Sequence, residues 1–309
     1  MVEPSTGGIA ADPVKLAGVH KHYGEVQAVN GIDLTIETGQ VVAFLGPNGA
    51  GKTTTLDMIL SLSEPTSGSV TVFGTTPRAA VDAGQVAAVT QTGGLVADMT
   101  AYQHVRVMAD LFGYPASRAR EVIEETGLAD LAKRQAKVCS GGERQRIKFA
   151  MSLVSNPELL IFDEPTTGMD VNARRSFWEG VHAQAAKGRT IIFATHYLEE
   201  ADEYADRIVM VVGGKIVADG TVAEIRNRVS GRTCTCNFPD QAALDAATNM
   251  VRDLADKVDV QGLQLSVHTK QSDEVLKRLI GQDTGATDIL VTSQGIEDVF
   301  IALAGGQDK

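Results

Sequence analysis

Among its 309 residues the chain has only three cysteines, Cys139, Cys234 and Cys236. So small and odd a number fits no disulfide framework and suits a reducing compartment. Cys234 and Cys236 stand two apart in a strand-like run and face one side. With no further cysteine or clustered histidine near them, they are expected to be small core or surface residues and not zinc ligands. Long hydrophobic runs are also missing. Stretches such as IIFA and IVMVV fall far short of the roughly 20 residues a membrane-crossing helix needs, and the opening MVEPSTGGIAADP has neither the basic start nor the apolar core of a signal peptide. A cytoplasmic protein is expected. Positive charge is in deficit: the net charge is −11, so no basic footprint marks the chain for nucleic acid. No internal repeat or low-complexity tract stands out. What remains is ordinary globular material, 43% hydrophobic and 22% charged, long enough to bury a core as one large domain or two smaller ones.

Residues 1–13 read as a loose tail. Two β-rich segments in residues 14–36 surround Tyr23-Gly24, and VVAFLG (41–46) is a short apolar run ending in glycine, the mark of a buried central strand. A helix is expected from residue 51 to about 62, then strands at SVTVFG and VAAVTQ. Between residues 99 and 155 helical periodicity replaces β-branched runs, which defines a helical insertion. LLIFDEP (159–165) and TIIFATH (190–196) restore strand character on either side of a helix near residues 174–186. Strands alternating with helices imply a parallel sheet covered on both faces. RIVMVVGGKIVADG reads as a hairpin turning at Gly213-Gly214. After about residue 230 the order becomes β-α-β-β-α-β, with strands at 232–238, 258–260, 263–269 and 288–293, helices at 240–255 and 272–281 between them, and a closing helix in GIEDVFIALAG (295–305). This is the pattern of a small ferredoxin-like α+β domain, giving a cassette over 14–229 and an accessory domain over 230–309.

GPNGAGKT satisfies G-x-x-x-x-G-K-[ST] between an expected strand and an expected helix. In Gly46, Pro47, Asn48, Gly49, Ala50, Gly51, Lys52 and Thr53 the glycines let backbone N–H groups wrap phosphates. Lys52 reaches the β and γ oxygens, and Thr53 offers a hydroxyl to Mg²⁺. A nucleoside triphosphate is therefore the expected ligand. Asp163, at the carboxyl end of LLIFD, stands where open α/β sheets hold their ligands and supplies the matching Mg²⁺ carboxylate. Glu164 follows within reach of the water that attacks the γ-phosphate, as general base or water-orienting group. No Asn-Lys-x-Asp guanine reader occurs, so adenine is the better expectation. A second Ser-Gly-Gly helix start, CSGGERQR at 139–146, could grip an anion or simply cap its helix.

GPNGAGKTTT, Gln91, CSGGERQR, LLIFDEPTTGMD and ATH, in this order and spacing, resemble the nucleotide-binding subunit of an ABC transporter over residues 14–229. The resemblance implies a P-loop NTPase cassette: a mostly parallel sheet with an N-terminal antiparallel β part and a helical insertion. It also implies a head-to-tail dimer in which Ser140, Gly141 and Gly142 of one subunit close over the ATP held by the P-loop, through Thr54, of the other. By the same resemblance Tyr23 stacks on adenine, and Gln91 touches Mg²⁺ and water and links the sheet to the insertion. Asp170 communicates across the dimer, and His196 contacts the γ-phosphate.

Two positions depart from the family pattern: Cys139 where leucine is common and Glu143 where glutamine is. Neither removes the Ser140–Gly142 backbone, so activity is expected to survive with altered packing or rate. GIEDVFIALAG resembles the ending of ATPases from ABC-2 type exporters, including the daunorubicin-resistance group. The expected protein is an ATPase using ATP and Mg²⁺, a homodimer or paired with a close relative. It sits on the inner face of the cell membrane beneath a separate ABC-2 type permease and energises efflux of a drug, natural product or lipid. A soluble ABC-type machine acting on nucleic acid or ribosomes is the alternative, disfavoured by the single cassette, the compact insertion and the acidity. A regulatory binder without turnover is disfavoured by intact Glu164 and His196.

Overall fold

A computed structural model describes residues 12–90, 94–228, 231–282 and 284–293. β1 (Val14–Tyr23) and β2 (Val26–Ile36) form an antiparallel hairpin, its turn made by Gly24 at φ 60°. The chain then enters the main sheet as β3 (Val41–Leu45) and turns into helix α1 (Lys52–Ile59). β4 (Ser67–Val72) returns to pair with β1, completing a three-stranded antiparallel sheet in the order β2-β1-β4. Alternation explains it: Val14, Leu16 and Val19 point inward, as do Ile32, Leu34 and Ile36, each next to exposed or half-buried neighbours.

Helix α2 (Pro77–Asp82) leads to β5 (Val86–Val89). The helical insertion follows as α3 (Ala101–Leu111), α4 (Ala116–Glu125) and α5 (Gly141–Ser152). Then come β6 (Leu159–Asp163), α6 (Val171–Ala185), β7 (Thr190–Thr195), α7 (Leu198–Tyr204), β8 (Arg207–Val212) and β9 (Lys215–Thr221). The six strands form one sheet in the order β5-β6-β7-β3-β8-β9, with β5, β6, β7, β3 and β8 parallel. Every residue of β3, β6 and β7 is buried, which their continuous apolar sequences require of strands covered on both faces. β9 returns beside β8 through Gly213-Gly214, both at positive φ.

One group of aromatic side chains gathers behind part of this sheet. Phe162 of β6 and Phe193 of β7 meet Phe177 and Trp178 of α6, and Phe149 of α5 packs on both Phe162 and Phe177. Tyr204 of α7 stacks on Trp178, 4.6 Å between centroids. Phe149 thus joins the helical insertion to the strand that carries Asp163.

The chain divides into two compact units, Met1–Asp219 and Gly220–Lys309. In the second, helix α8 (Val222–Arg228) precedes β10 (Arg232–Asn237), α9 (Gln241–Val251), β11 (Lys257–Gln261), β12 (Gln264–Thr269), α10 (Ser272–Gly281) and β13 (Thr287–Ser293). Its four strands pair antiparallel in the order β11-β12-β10-β13. Cys234 and Cys236 are buried there with Leu244, Leu265, Val267 and Leu279, and burial pushes the Cys236 thiol up to about 11.

Three helices have no counterpart in the sequence reading: α2, α7 and α8. Each has six or seven residues, under two turns, too short for a 3.6-residue period to declare itself. Start signals were present all the same, since Thr76 caps α2 through its hydroxyl and Pro77 follows at its first position. The expected helix over 240–255 ends at Val251 and closes in a single 3₁₀ turn, Arg252–Leu254. The expected closing helix at 295–305 lies outside the described residues, as does all but the last part of the expected N-terminal tail.

Candidate functional site

β3 and β6, parallel with β7 between them, deliver the P-loop and Asp163 to the same carboxyl end of the sheet. The loop is tight. A Cβ on Gly46 would lie 2.2 Å from the Val211 carbonyl oxygen, and one on Gly51, at φ +103°, 2.2 Å from that of Ala28. Both glycines are therefore also required for packing against neighbouring strands, beyond any contact with phosphate. Pro47, Asn48 and Gly49 form the exposed rim, while Gly46, Ala50 and Gly51 are buried. Lys52, 6% exposed, donates from Nζ to the carbonyls of Gly46 at 2.6 Å and Pro47 at 3.1 Å. Burial lowers its pKa, opposed by the nearby Glu164 and Asp163 carboxylates.

Thr53 Oγ1 donates to Asp163 Oδ2 at 2.9 Å. The other oxygen of Asp163 is buried without a hydrogen-bond partner. A hydroxyl beside a carboxylate whose second oxygen is unsatisfied forms the hard-oxygen donor set that suits Mg²⁺. The carboxyl of Asp163 is pushed above its ordinary range, chiefly by burial. Thr54, next along α1, is half-buried.

Glu164 occupies the left-handed region at φ 47°, unusual for a residue other than glycine and frequent at functional positions. Its N–H donates to the Ala194 carbonyl of β7 at 2.9 Å. Its side chain lies 3.0 Å through Oε1 from His196 Nδ1, and Oε2 accepts from the Thr167 hydroxyl at 3.3 Å. A carboxylate only accepts, so Nδ1 carries the proton in this contact. Lys52, Asp163, Glu164 and His196 thus come from three adjacent strand ends. A cleft of about 520 Å³ opens beside Glu164, Pro165 and Thr167, with Gly141, Arg144 and Lys148 on its other side.

The signature turn borders this cleft through Gly141. Ser140 caps α5 by accepting from the Glu143 N–H at 3.2 Å, while Glu143 reaches back to the Ser140 N–H at 2.8 Å, a capping box. Arg134 Nη1 pairs with Glu143 at 2.6 Å, so the unusual glutamate has an ionic partner that glutamine would lack. Gly141 lies near the Gly168 carbonyl, and a Cβ on Gly142 would meet the Ala173 Cβ at 2.7 Å. The turn therefore rests against the loop and helix headed by its own Asp170, which caps α6 through the Ala173 N–H at 2.9 Å. Cys139 fills a small core with Ala101, Ile147, Leu95 and Met151. Tyr23 stands on the antiparallel sheet, 51% exposed, with Lys21 Nζ 5.0 Å from its ring centre. Gln91 lies outside the described residues.

Sequence reading missed one buried group entirely. Glu200 of α7, 2% exposed, accepts from the hydroxyls of Thr166 and Thr195, and Arg174 of α6 approaches it at 3.6 Å. Nothing in the local pattern separates Glu200 from Glu199 at the start of this acidic helix, so its burial follows from the fold alone.

The sheet, the P-loop and the strand-end carboxylates define a P-loop ATPase cassette. A family model described as ABC transporter matches residues 29–167. The chain is 34% identical over 298 residues to Nod factor export ATP-binding protein I of Cupriavidus pinatubonensis, covering 94% of this chain and 90% of the relative. It is 33% identical to the daunorubicin/doxorubicin resistance ATP-binding protein DrrA of Streptomyces peucetius, covering 94% and 92%. Among solved structures it resembles an ATP-binding subunit of an ABC transporter, at 27% identity and a TM-score of 0.63 over 70% of this chain and 92% of that one. It also resembles a dimeric cassette in a post-hydrolysis state with ADP and Pi, at 26% identity and a TM-score of 0.61 over 67% and 98%. The chain belongs to the ABC transporter family, as an ATP-binding and ATP-hydrolysing subunit of the branch whose curated relatives serve export. Such subunits work as dimeric cassettes with a membrane permease. Among the described residues no helix is long and apolar enough to cross a membrane.

Proposed function

We propose that this subunit energises efflux of a drug, natural product or lipid through a separate ABC-2 type permease, from the cytoplasmic face of the cell membrane. It would act as a homodimer with two shared ATP sites. The observation that carries the reading is the strand-end group: a buried lysine in the P-loop, the Thr53–Asp163 pair, and Glu164 in contact with His196. Phosphoryl transfer demands positioning and charge neutralisation. Lys52 and the loop N–H groups hold the β and γ phosphates, and Tyr23 offers its exposed ring to adenine. Thr53, Asp163 and Gln91 would hold Mg²⁺, which supplies neutralisation of the phosphate oxygens. Glu164 orients and deprotonates the attacking water, and His196 steadies the γ-phosphate. The signature turn, seated against its own Gly168 and Ala173, serves the partner's ATP. The groove of about 320 Å³ between α3, α5 and β5, bordered by Met108, Phe112 and Met151, with Leu111 exposed nearby, is the permease dock. The strand order of the second unit supports a ferredoxin-like reading.

Mixing two broken proteins tests the shared site. Lys52→Ala spoils the P-loop and Ser140→Arg blocks the signature, so each homodimer is inactive. In a mixed dimer the sound signature of the first chain meets the sound P-loop of the second, and one complete site returns. Vanadate trapping of nucleotide in the mixture, and none in either homodimer, is the expected result. No trapping in proven mixed dimers would rule the shared site out.

A further inference from the structure

Only two carboxylates among the described residues are buried, Asp163 and Glu200. Asp163 is explained by the metal site; Glu200 is not. One of its oxygens accepts from the Thr166 hydroxyl, with Arg174 Nε at 3.6 Å, and the other accepts from the Thr195 hydroxyl at 2.9 Å. Both threonines are themselves buried, at 1% and 0% exposure. A buried carboxylate is tolerated only when hydrogen-bonded and paired, so these partners are held firmly or not at all.

The partners are informative by position. Thr166 lies two residues past Glu164, in the turn that holds Glu164 at its left-handed φ. Thr195 immediately precedes His196, and its hydroxyl also accepts from the Tyr197 N–H at 3.0 Å. Arg174 belongs to the first turn of α6, whose cap is Asp170, and its guanidinium lies 5.3 Å from the Tyr197 ring centre. Three segments carrying three functional residues converge on one side chain that touches none of the reacting atoms.

We propose that Glu200 is a positioning residue for hydrolysis, locking the segments of Glu164, His196 and Asp170 in a common register so that the Glu164–His196 contact forms. This rests on Glu164 being the water-orienting group. Removing the lock lets Glu164 drift, and misplacement by about 1 Å can cost on the order of a hundredfold in rate. Phosphate binding depends chiefly on Lys52 and the P-loop backbone, outside the Glu200 cluster, so nucleotide affinity changes far less than the rate.

The test compares Glu200→Gln, Thr166→Val and Thr195→Val with Thr166→Ser and Thr195→Ser, measuring kcat, KM for ATP and the Kd of a fluorescent ATP analogue. Glu200→Gln and the valine variants are expected to lose about tenfold or more in kcat, with Kd unchanged within about twofold. The serine variants, which keep the hydroxyl, return kcat to within about threefold of wild type. Adding Glu200→Gln to Glu164→Gln lowers the residual rate no further, because both act through the same group. If Glu200→Gln does not fold, the threonine variants decide. Wild-type kcat in the valine variants while Glu164→Gln is inactive overturns the proposal alone. A parallel fall of kcat and affinity overturns it too, as a plain structural role. Wild-type hydrolysis by Glu164→Gln would instead remove the reading of Glu164 on which it rests.

Discussion

Burial pushes the carboxyl of Asp163 up, and Glu164 and Asp57 add to that push against the hydrogen bond from Thr53 and the charge of Lys52. The folded chain therefore binds this proton more readily than the unfolded one. Its cost is absent below the unfolded value near pH ~4 and complete once pH has risen past the folded one. Asp163→Asn should raise the thermal midpoint of the nucleotide-free protein at neutral pH, by a margin worth ~0.5–2 kcal/mol, while hydrolysis is lost. Melting curves along a descending pH series check this: the margin must shrink toward acid pH, and an unchanged margin would sink the assignment. Tyr23 offers a second test at this scale. Tyr23→Ala should weaken ATP binding by ~1–3 kcal/mol through lost stacking, and Tyr23→Phe should be nearly silent in the same titration. Equal damage from both would implicate the hydroxyl. Glu164→Gln should keep ATP binding and slow hydrolysis by about a hundredfold or more, with the ATP-bound dimer accumulating in size-exclusion chromatography.

Helix α5 shows how a departure from the family pattern is accommodated. The Ser140 N–H above all, then Arg134, holds the Glu143 carboxyl below its ordinary range. Such a carboxylate stabilises the fold above the ordinary glutamate pKa and loses that contribution as pH falls through its depressed value. It also places a negative charge at the helix end that would face the partner's ATP. Glu143→Gln keeps the cap and deletes the charge, so ATP-dependent dimerisation should tighten by about twofold to fivefold, the equivalent of a macrodipole charge. Sedimentation with the Glu164→Gln background measures it; weaker association would refute the charge argument. At this scale the sequence was informative where signals were dense. The all-apolar strands β3, β6 and β7, the helical insertion and the strand-end residues Lys52, Asp163 and Glu164 were all readable from local pattern. The short helices were not, and neither was the Glu200 cluster, because its members are scattered across three segments and only the fold brings them together. The Phe149 contact escaped for the same reason, since helical periodicity tells which face is apolar but not which strand receives it.

Each of the two compact units has its own apolar core, one around Phe44, Leu56 and Ile161, the other around Phe238, Leu244 and Leu265. Calorimetry should accordingly resolve two unfolding transitions. ATP with Mg²⁺ should raise only the one belonging to the cassette, by mass action on its folded state; a single transition shifting as a whole would show the units to be one cooperative body. The order of strands in the main sheet bears on how the molecule is made. β3 lies between β7 and β8, and the Thr53–Asp163 hydrogen bond spans 110 positions, with the whole helical insertion synthesised in between. A nascent chain that has already exposed GPNGAGKT therefore has no neighbouring strand to receive VVAFL. Non-local pairings of this kind form late and leave apolar segments open to aggregation meanwhile. ATP cannot assist the early chain, since its site comes into being only after β7 has left the ribosome, and until then β3 has no partner strand.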